Sequence, residues 1–287
     1  MFFIFYNVIY LRLNYFCLLK ITDKDYFLPT IEALVPLSVM SNGRTQPLLI
    51  NGVCATTGGK DDYVLKFKTG NEMLVQSSCN ELVAAFIARE LDLNVVEPAL
   101  INVSEEFRDT LIGQSHYNIA SESVGLNYGC KFVPGFLEFV KDQSLSEYQY
   151  FQAQQIFALD VFISNSDRRN DKQNMLTDGR KIIIFDHEMA FGFLYELIKN
   201  PTPWLIRTED RYWITRHYFY NMLKAAKYNF GTFVESLDVI DNKFWDKVYT
   251  LVPKDWMGDG LDQIKNNLNS LVKNRSTFLQ ELNKVFS

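Results

Sequence analysis

Residues 62–68, Asp-Tyr-Val-Leu-Lys-Phe-Lys, alternate with the two-residue period of a β-strand. Tyr63, Leu65 and Phe67 share one face, and Val64, Lys66 and Lys68 the other. Further strands are expected at Leu48–Ile50, at Ala99–Val103 and in the segment that ends at Lys131-Phe132. Between them the period changes. Leu82, Val83, Phe86, Ile87 and Leu91 recur at helical spacing and predict a helix over Ser78–Leu91. Pro134-Gly135 punctuates the chain. A long helix is expected from about 145 to 163, capped by Ser144 or Ser146, with Tyr148, Phe151, Ile156, Leu159 and Ile163 toward the core. Asp178-Gly179 between the apolar runs Met175-Leu176 and Ile182–Phe185 marks a β-hairpin. The remainder reads as helical. One last helix from about 259 to 285 places Leu261, Ile264, Leu268, Leu271, Phe278, Leu282 and Val285 on a single core-facing stripe, and Asn200–Trp204 is a connecting loop.

The hairpin gives the pattern a chemical meaning. Antiparallel pairing returns Asp186 to the end of the hairpin where Asn174 sits, and Asp167 lies shortly before it. An acid, an amide and a second acid suit phosphoryl transfer, with one carboxylate for an acceptor hydroxyl and the other pair for magnesium. A solvated Asn/Asp loop is the plainer reading of the same residues. Lys66 is either a surface lysine on an edge strand or the ammonium that grips the α- and β-phosphates of ATP, with Val64 on the same face lining an adenine pocket. Glu81 is either its acidic partner or the closing residue of a capping box, Ser78-Cys79-Asn80-Glu81. The order favours the functional readings: strand lysine, helix glutamate, connecting segment, then acid, amide and acid.

On these residues the chain resembles the HipA-like kinase domain family, in the branch whose Asp-Arg catalytic loop is similar to that of phosphatidylinositol kinases. The matching pieces begin with Ile31–Leu34, Asn42–Leu49, Tyr63–Phe67 and Asn80–Ala85. They continue through Glu97–Leu100, Phe132–Gly135, Asn165–Arg168 with Asn174–Leu176, and Asp186–Phe191. The resemblance implies an α+β, two-lobed protein-kinase-like fold. Its N-lobe would be a small antiparallel sheet with one helix (29–134), followed by a mainly helical C-lobe (135–287). It implies Asp167 as catalytic base and Lys66 as the phosphate-binding lysine, paired with Glu81. Asn174 and Asp186 would be magnesium ligands, and residues 131–134, with Phe132 and Val133, the hinge that reads adenine. Gly43, Arg44 and Thr45, within Ser41–Thr45, are the sole candidate phosphate loop, since no Gly-x-Gly-x-x-Gly is found near the N-terminus. Arg168 either neutralises charge near the phosphates or forms a salt bridge within its loop. No His-Arg-Asp precedes the acid, and Asp186-His187-Glu188 stands where protein kinases carry Asp-Phe-Gly.

The expected activity is therefore ATP- and magnesium-dependent transfer of a γ-phosphoryl group to a hydroxyl, of a protein Ser/Thr first and including autophosphorylation. The alternatives are a non-catalytic nucleotide-binding module with an antitoxin-like partner, and a kinase acting on a lipid or small molecule. Composition narrows the setting. A length of 287 with 47% hydrophobic residues suits one enzyme-sized unit with a filled core. The net charge of −5 argues against direct nucleic-acid binding. Cys17, Cys54, Cys79 and Cys130 show no paired spacing, which suits reduced thiols in a cytoplasm and offers no zinc site. His116, His187 and His217 are too dispersed for a metal motif, and a structural hydrogen bond is expected of His187. The first twenty residues are apolar, but Asn7, Arg12 and Asn14 interrupt them, which disfavours a membrane anchor. Residues 1–28 are set apart as an apolar extension that packs on the small lobe or reflects an artefactual upstream start.

Overall fold

The alternation read at Lys66 is the wall of a barrel. In a computed structural model that describes residues 19–40, 46–69, 74–140 and 143–287, β1 (Thr30–Val39), β2 (Leu48–Cys54), β3 (Lys60–Lys66), β4 (Pro98–Val103) and β5 (Gly125–Lys131) close in the order β1-β2-β3-β5-β4. Closure comes from a parallel pairing of β1 with β4, Thr30 opposite Leu100 through Glu32 opposite Asn102. The expected small antiparallel sheet is thus corrected to a closed barrel with one parallel seam. Closure removes the sheet edges that would otherwise seek another strand. Tyr63, Leu65 and Phe67 are buried in the barrel interior with Ile31, Ile50, Ala99, Ile101 and Val103. Val64 and Lys66 are left on the outer face, as the period dictates. Gly129 on β5 is needed there: a Cβ would meet the Ile101 side chain at 2.1 Å and the Val64 carbonyl at 2.7 Å.

Among the described residues the barrel carries α1 (Val75–Glu90), α2 (Glu105–Asp109) and α3 (Tyr117–Glu122), three helices where one was expected. α1 begins earlier than expected, after Leu74, and no side chain caps it. The capping-box reading of Ser78 to Glu81 is therefore overturned: Glu81 lies inside the helix. Every residue of α1 from Ser77 to Glu90 is buried, as expected of a helix enclosed on all sides. Residues preceding the barrel pack against α1, with the Tyr26 ring edge-on to Phe86. Ile21 and Tyr26 are core residues, and the Thr22 hydroxyl donates to Glu90 at 2.5 Å. Residues 1–18 lie outside the described residues.

Beyond β5 come β6 (Leu137–Glu138), α4 (Glu147–Phe162), β7 (Met175–Thr177) and β8 (Ile182–Ile184). The Asp178-Gly179 hairpin is β7–β8, with Met175 opposite Ile184, and β6 adds a third strand. Ser146 caps α4 in a reciprocal box with Gln149. Ile156, Leu159 and Ile163 are buried as expected, but Phe151 is 44% exposed. The inner face of α4 is taken by Gln149 and Gln152, which hydrogen-bond to Thr177 and to the backbone of Ile182 on the hairpin. These polar core positions displace the apolar stripe from the one counted in the sequence.

The chain then continues in α5 (Thr208–Ile214), α6 (Tyr220–Lys224), α7 (Gly231–Ser236), α8 (Asn242–Leu251), α9 (Asp259–Lys273) and α10 (Arg275–Lys284). The single terminal helix is corrected to two, α9 and α10. They break at Asn274, whose side-chain amide donates back to the Ser270 carbonyl at 2.9 Å, a local bond that competes with the helix ladder. The predicted stripe from Leu261 to Val285 is nonetheless buried along both pieces.

Candidate active site

Three separated stretches meet between the barrel and the helices. Lys66, the last residue of β3, is 8% exposed. Its ammonium donates to Glu81 of α1 and, at 2.6 Å, to Asp186 Oδ1 in the segment after β8; Glu188 Oε2 lies 3.8 Å away. Glu81 spends its other oxygen on the backbone N–H of His187 at 2.8 Å. The helix glutamate therefore holds both the lysine and the segment that carries Asp186.

Asp167 belongs to the same cluster through a residue that the motif reading passed over. Lys172 Nζ sits 2.5 Å from Asp167 Oδ2, 3.0 Å from Asp186 Oδ2 and 3.9 Å from Glu188 Oε1. The Asn174 amide reaches Asp167 Oδ2 at 3.5 Å. Asn174 and Asp186 adopt positive φ, 51° and 60°. Asn and Asp are the non-glycine residues that enter this region most readily, and strained backbone of this kind clusters at functional sites. The hairpin closes as expected, with the Phe185 N–H donating to the Asn174 carbonyl at 3.1 Å.

Arg168 points away from the cleft. It is fully buried, and its guanidinium donates to Asp160 Oδ2 at 2.6 Å, the Asn174 carbonyl at 2.5 Å and His187 Nε2 at 3.0 Å. The reading of Arg168 as a charge near the phosphates is corrected to a buried brace of the loop. His217 Nε2 completes the set at 2.9 Å from Asp160 Oδ2. His187 has the structural hydrogen bond expected of it. On α1, the Asn80 amide donates to the carbonyls of Glu188 and Ala190, at 3.3 and 3.1 Å. Sequence reasoning missed Asn80, Asp160, Lys172 and Glu188. Glu188 alone carried a signal, as an acid two residues beyond Asp186.

The electrostatics are unequal around the cluster. Burial alone would depress the Lys66 ammonium, but Asp186, Glu81 and Glu188 outweigh it and hold the group well above its ordinary range. Burial pushes Glu81 up, and the neighbouring Asp186 adds to that against the pull of Lys66. Glu188 is raised in the same way, first by burial. Asp186 goes the other way: burial would raise it, but Lys66 and Lys172 pull it well below the carboxylate range. Four carboxylates thus share two close ammonium groups. Oxygen atoms of Glu81, Asp186 and Glu188 lie within 4.8 Å of one another. Glu188 Oε2 is buried without a hydrogen-bond partner. Hard oxygen donors, uncompensated negative charge and an orphaned buried acceptor fit a divalent cation of the magnesium type.

The residues expected to flank adenine lie on β3 and just past the end of β5. Val64, opposite Leu49 and Cys130, is half-buried on the same face as Lys66. Phe132 and Val133 are half-buried just past β5, and the Phe132 N–H donates to the Asp62 carbonyl at 2.9 Å. Gly43, Arg44 and Thr45 lie outside the described residues.

A sequence model of the HipA-like kinase family matches residues 37–285. The chain belongs to this family. The match runs from the last residues of β1 through the rest of the barrel, the hairpin and the helices that follow, and it includes every residue of the cluster above. No curated protein sequence matches the chain significantly. Among solved structures, the crystal structure of the Helicobacter pylori proinflammatory kinase CtkA is similar over 86% of this chain and 98% of that one, with a TM-score of 0.47 and 14% identity.

Proposed function

We propose that this HipA-like kinase transfers the γ-phosphoryl group of ATP to the hydroxyl of a protein Ser or Thr, with Mg2+ as cofactor, in a cleft between an N-lobe (29–134) and a C-lobe (135–287). The observation that carries the reading is the convergence of Lys66, Glu81, Asp167 and Asp186, brought together from three distant stretches by contacts of 2.6 Å between Lys66 and Asp186 and 2.5 Å between Lys172 and Asp167. In this reading Lys66 holds the α- and β-phosphates, and Glu81 fixes the direction of its ammonium. Val64, Phe132 and Val133 flank the adenine, and Gly43, Arg44 and Thr45 are the proposed phosphate-loop residues.

Asp186 and Asn174, with Glu188 in support, would hold the metal, which supplies neutralisation of the charge that develops on the phosphoryl oxygens. Asp167 accepts the acceptor's proton as its oxygen bonds to the γ-phosphorus, while the bond from that phosphorus to the β–γ bridging oxygen breaks and ADP leaves. Positioning and charge neutralisation supply most of the rate in such a site. Arg168 serves from outside the cleft: it fixes the Asn174 carbonyl and His187 and so the direction of the metal-side segment.

The free thiols of Cys54, Cys79 and Cys130 suit a reducing cytoplasm. Among the described residues no helix is long and apolar enough to cross a membrane. Incubation with γ-labelled ATP and Mg2+, with and without cell lysate, followed by mass spectrometry, tests the activity and reports the acceptor. Phosphoserine or phosphothreonine on this chain or on a lysate protein is expected. Nucleotide binding with neither transfer nor hydrolysis would instead identify a binding module.

A further inference from the structure

We propose that Lys172 is a resident counter-cation of the cleft, which competes with the divalent metal ion for Asp167, Asp186 and Glu188 and so sets the metal concentration at which the site fills. The inference deepens the phosphotransferase reading, because it concerns the same carboxylates. Its evidence is a division of labour between two lysines. Asp186 gives Oδ1 to Lys66 at 2.6 Å and Oδ2 to Lys172 at 3.0 Å, so each oxygen carries one ammonium. Lys172 also meets Asp167 Oδ2 at 2.5 Å and approaches Glu188 Oε1 at 3.9 Å. It bridges the acid before the hairpin to the two acids after it.

The two ammonium groups differ in freedom. Lys66 is fixed in a strand, its side chain 9% exposed, and is clamped by Glu81. The Lys172 side chain is 28% exposed and hangs from a short turn, in which Arg169 and Lys172 exchange backbone hydrogen bonds at 2.9 and 3.1 Å. The turn fixes its Cα, while the four-carbon stem can swing the head into water. Arg169 adds little to the balance, because it lies 3.7 Å from Asp167 and is shared with Asp171 at 3.4 Å. A cation bound about 2.1 Å from Asp186 Oδ2, which Lys172 holds at 3.0 Å, would lie within about 5 Å of that ammonium, where like charges repel strongly even at a protein surface. Either the ammonium leaves or the metal binds more weakly. A salt bridge that only stabilised the loop would leave metal affinity untouched.

The test uses the full-length chain without nucleotide and Mn2+ as the probe, with free Mn2+ followed by electron paramagnetic resonance. Lys172→Met should bind Mn2+ about tenfold more tightly than the wild type, a modest share of the repulsion expected between charges at this separation. Lys172→Arg, which keeps the charge, should stay near the wild type. Equal or weaker binding by Lys172→Met overturns the proposal. A second readout needs no variant. Amine-reactive labelling of the wild type, read by peptide mass spectrometry, should rise severalfold at Lys172 when Mg2+ is added and stay constant at Lys66. Labelling of Lys172 that ignores the metal also overturns it. Neither measurement involves phosphoryl transfer, so the labelled-ATP assay decides the kinase reading separately.

Discussion

Lys66 and Asp186, 120 positions apart, face each other at 2.6 Å across the junction between barrel and hairpin, in a site where, among the described residues, only Lys66 pairs with Glu81. Removing one member of a buried ion pair leaves the other charge uncompensated, at a typical cost of about 3–5 kcal/mol. Lys66→Met should therefore destabilise the fold by about 3 kcal/mol, because three acids lose a shared cation. Glu81→Gln should cost less, since Lys66 keeps Asp186. Urea unfolding of both variants checks the order, and a Glu81→Gln loss equal to that of Lys66→Met would refute the shared-cation description.

Asp167 and Asp186 touch the same lysine, Lys172, yet their proposed duties differ. Asp167→Ala should abolish phosphoryl transfer, by about 10²-fold or more as expected for a lost general base, and leave ATP affinity largely intact. Asp186→Ala should lose transfer and also weaken binding of the magnesium–nucleotide pair. Isothermal titration beside the labelled-ATP assay separates the two. Full activity in purified Asp167→Ala removes the base assignment.

Asn80 has no chemistry of its own in the cleft, but its buried amide holds the carbonyls of Glu188 and Ala190, and its Oδ1 accepts from Gln76 at 2.9 Å. Asn80→Leu leaves those carbonyls buried without a donor, at a cost of about 1–3 kcal/mol. Because the carbonyls flank the metal-side segment, the variant should also lose Mn2+ affinity. Destabilisation with unchanged Mn2+ binding would reduce Asn80 to a packing residue.

These residues divide by how far the sequence could reveal them. Lys66 was legible because a strand's two-residue period leaves no choice of face once Tyr63, Leu65 and Phe67 are inside. Asp167, Asn174 and Asp186 were legible because Asp178-Gly179 fixes a hairpin and antiparallel pairing fixes its ends. Barrel closure was not: Thr30–Glu32 bears no mark of a parallel partner at Leu100–Asn102, since such pairing depends on distant geometry rather than local turns. Asn80, Gln149, Gln152 and Asp160 were hidden for a shared reason. Each is a polar residue in a buried helical position, and a count of apolar spacing assigns such residues to solvent. Lys172 was masked by its charged neighbours in the run from Arg168 to Lys172, where one cation looks like the next.

The buried network around Arg168 makes stability depend on pH in a defined direction. His187 is held down to about 3 from 6.5, first by burial and then by the Arg168 guanidinium, against the opposing pull of Asp160 and Asp186. Its Nε2 accepts the hydrogen bond from Arg168 at 3.0 Å, so protonation removes an acceptor and sets two cations together. In the unfolded chain His187 takes up its proton near 6.5, and in the folded chain it does so only near 3. Between these values the unfolded state binds more protons, so stability falls as pH falls, by about 1.4 kcal/mol per unit for one full proton. Asp160, held low by Arg168 and His217 despite its burial, adds loss in the same direction, but only below the ordinary carboxylate range. Glu81, raised by burial, acts in the opposite sense. His187→Gln isolates the histidine, because glutamine keeps an acceptor for Arg168 and leaves the acids in place. Urea unfolding from pH 7 to pH 4 should show the wild type losing stability more steeply than the variant. The gap between the curves should narrow or reverse toward acid. Parallel curves over that range would mean that His187 protonates as readily in the folded chain as in the unfolded one.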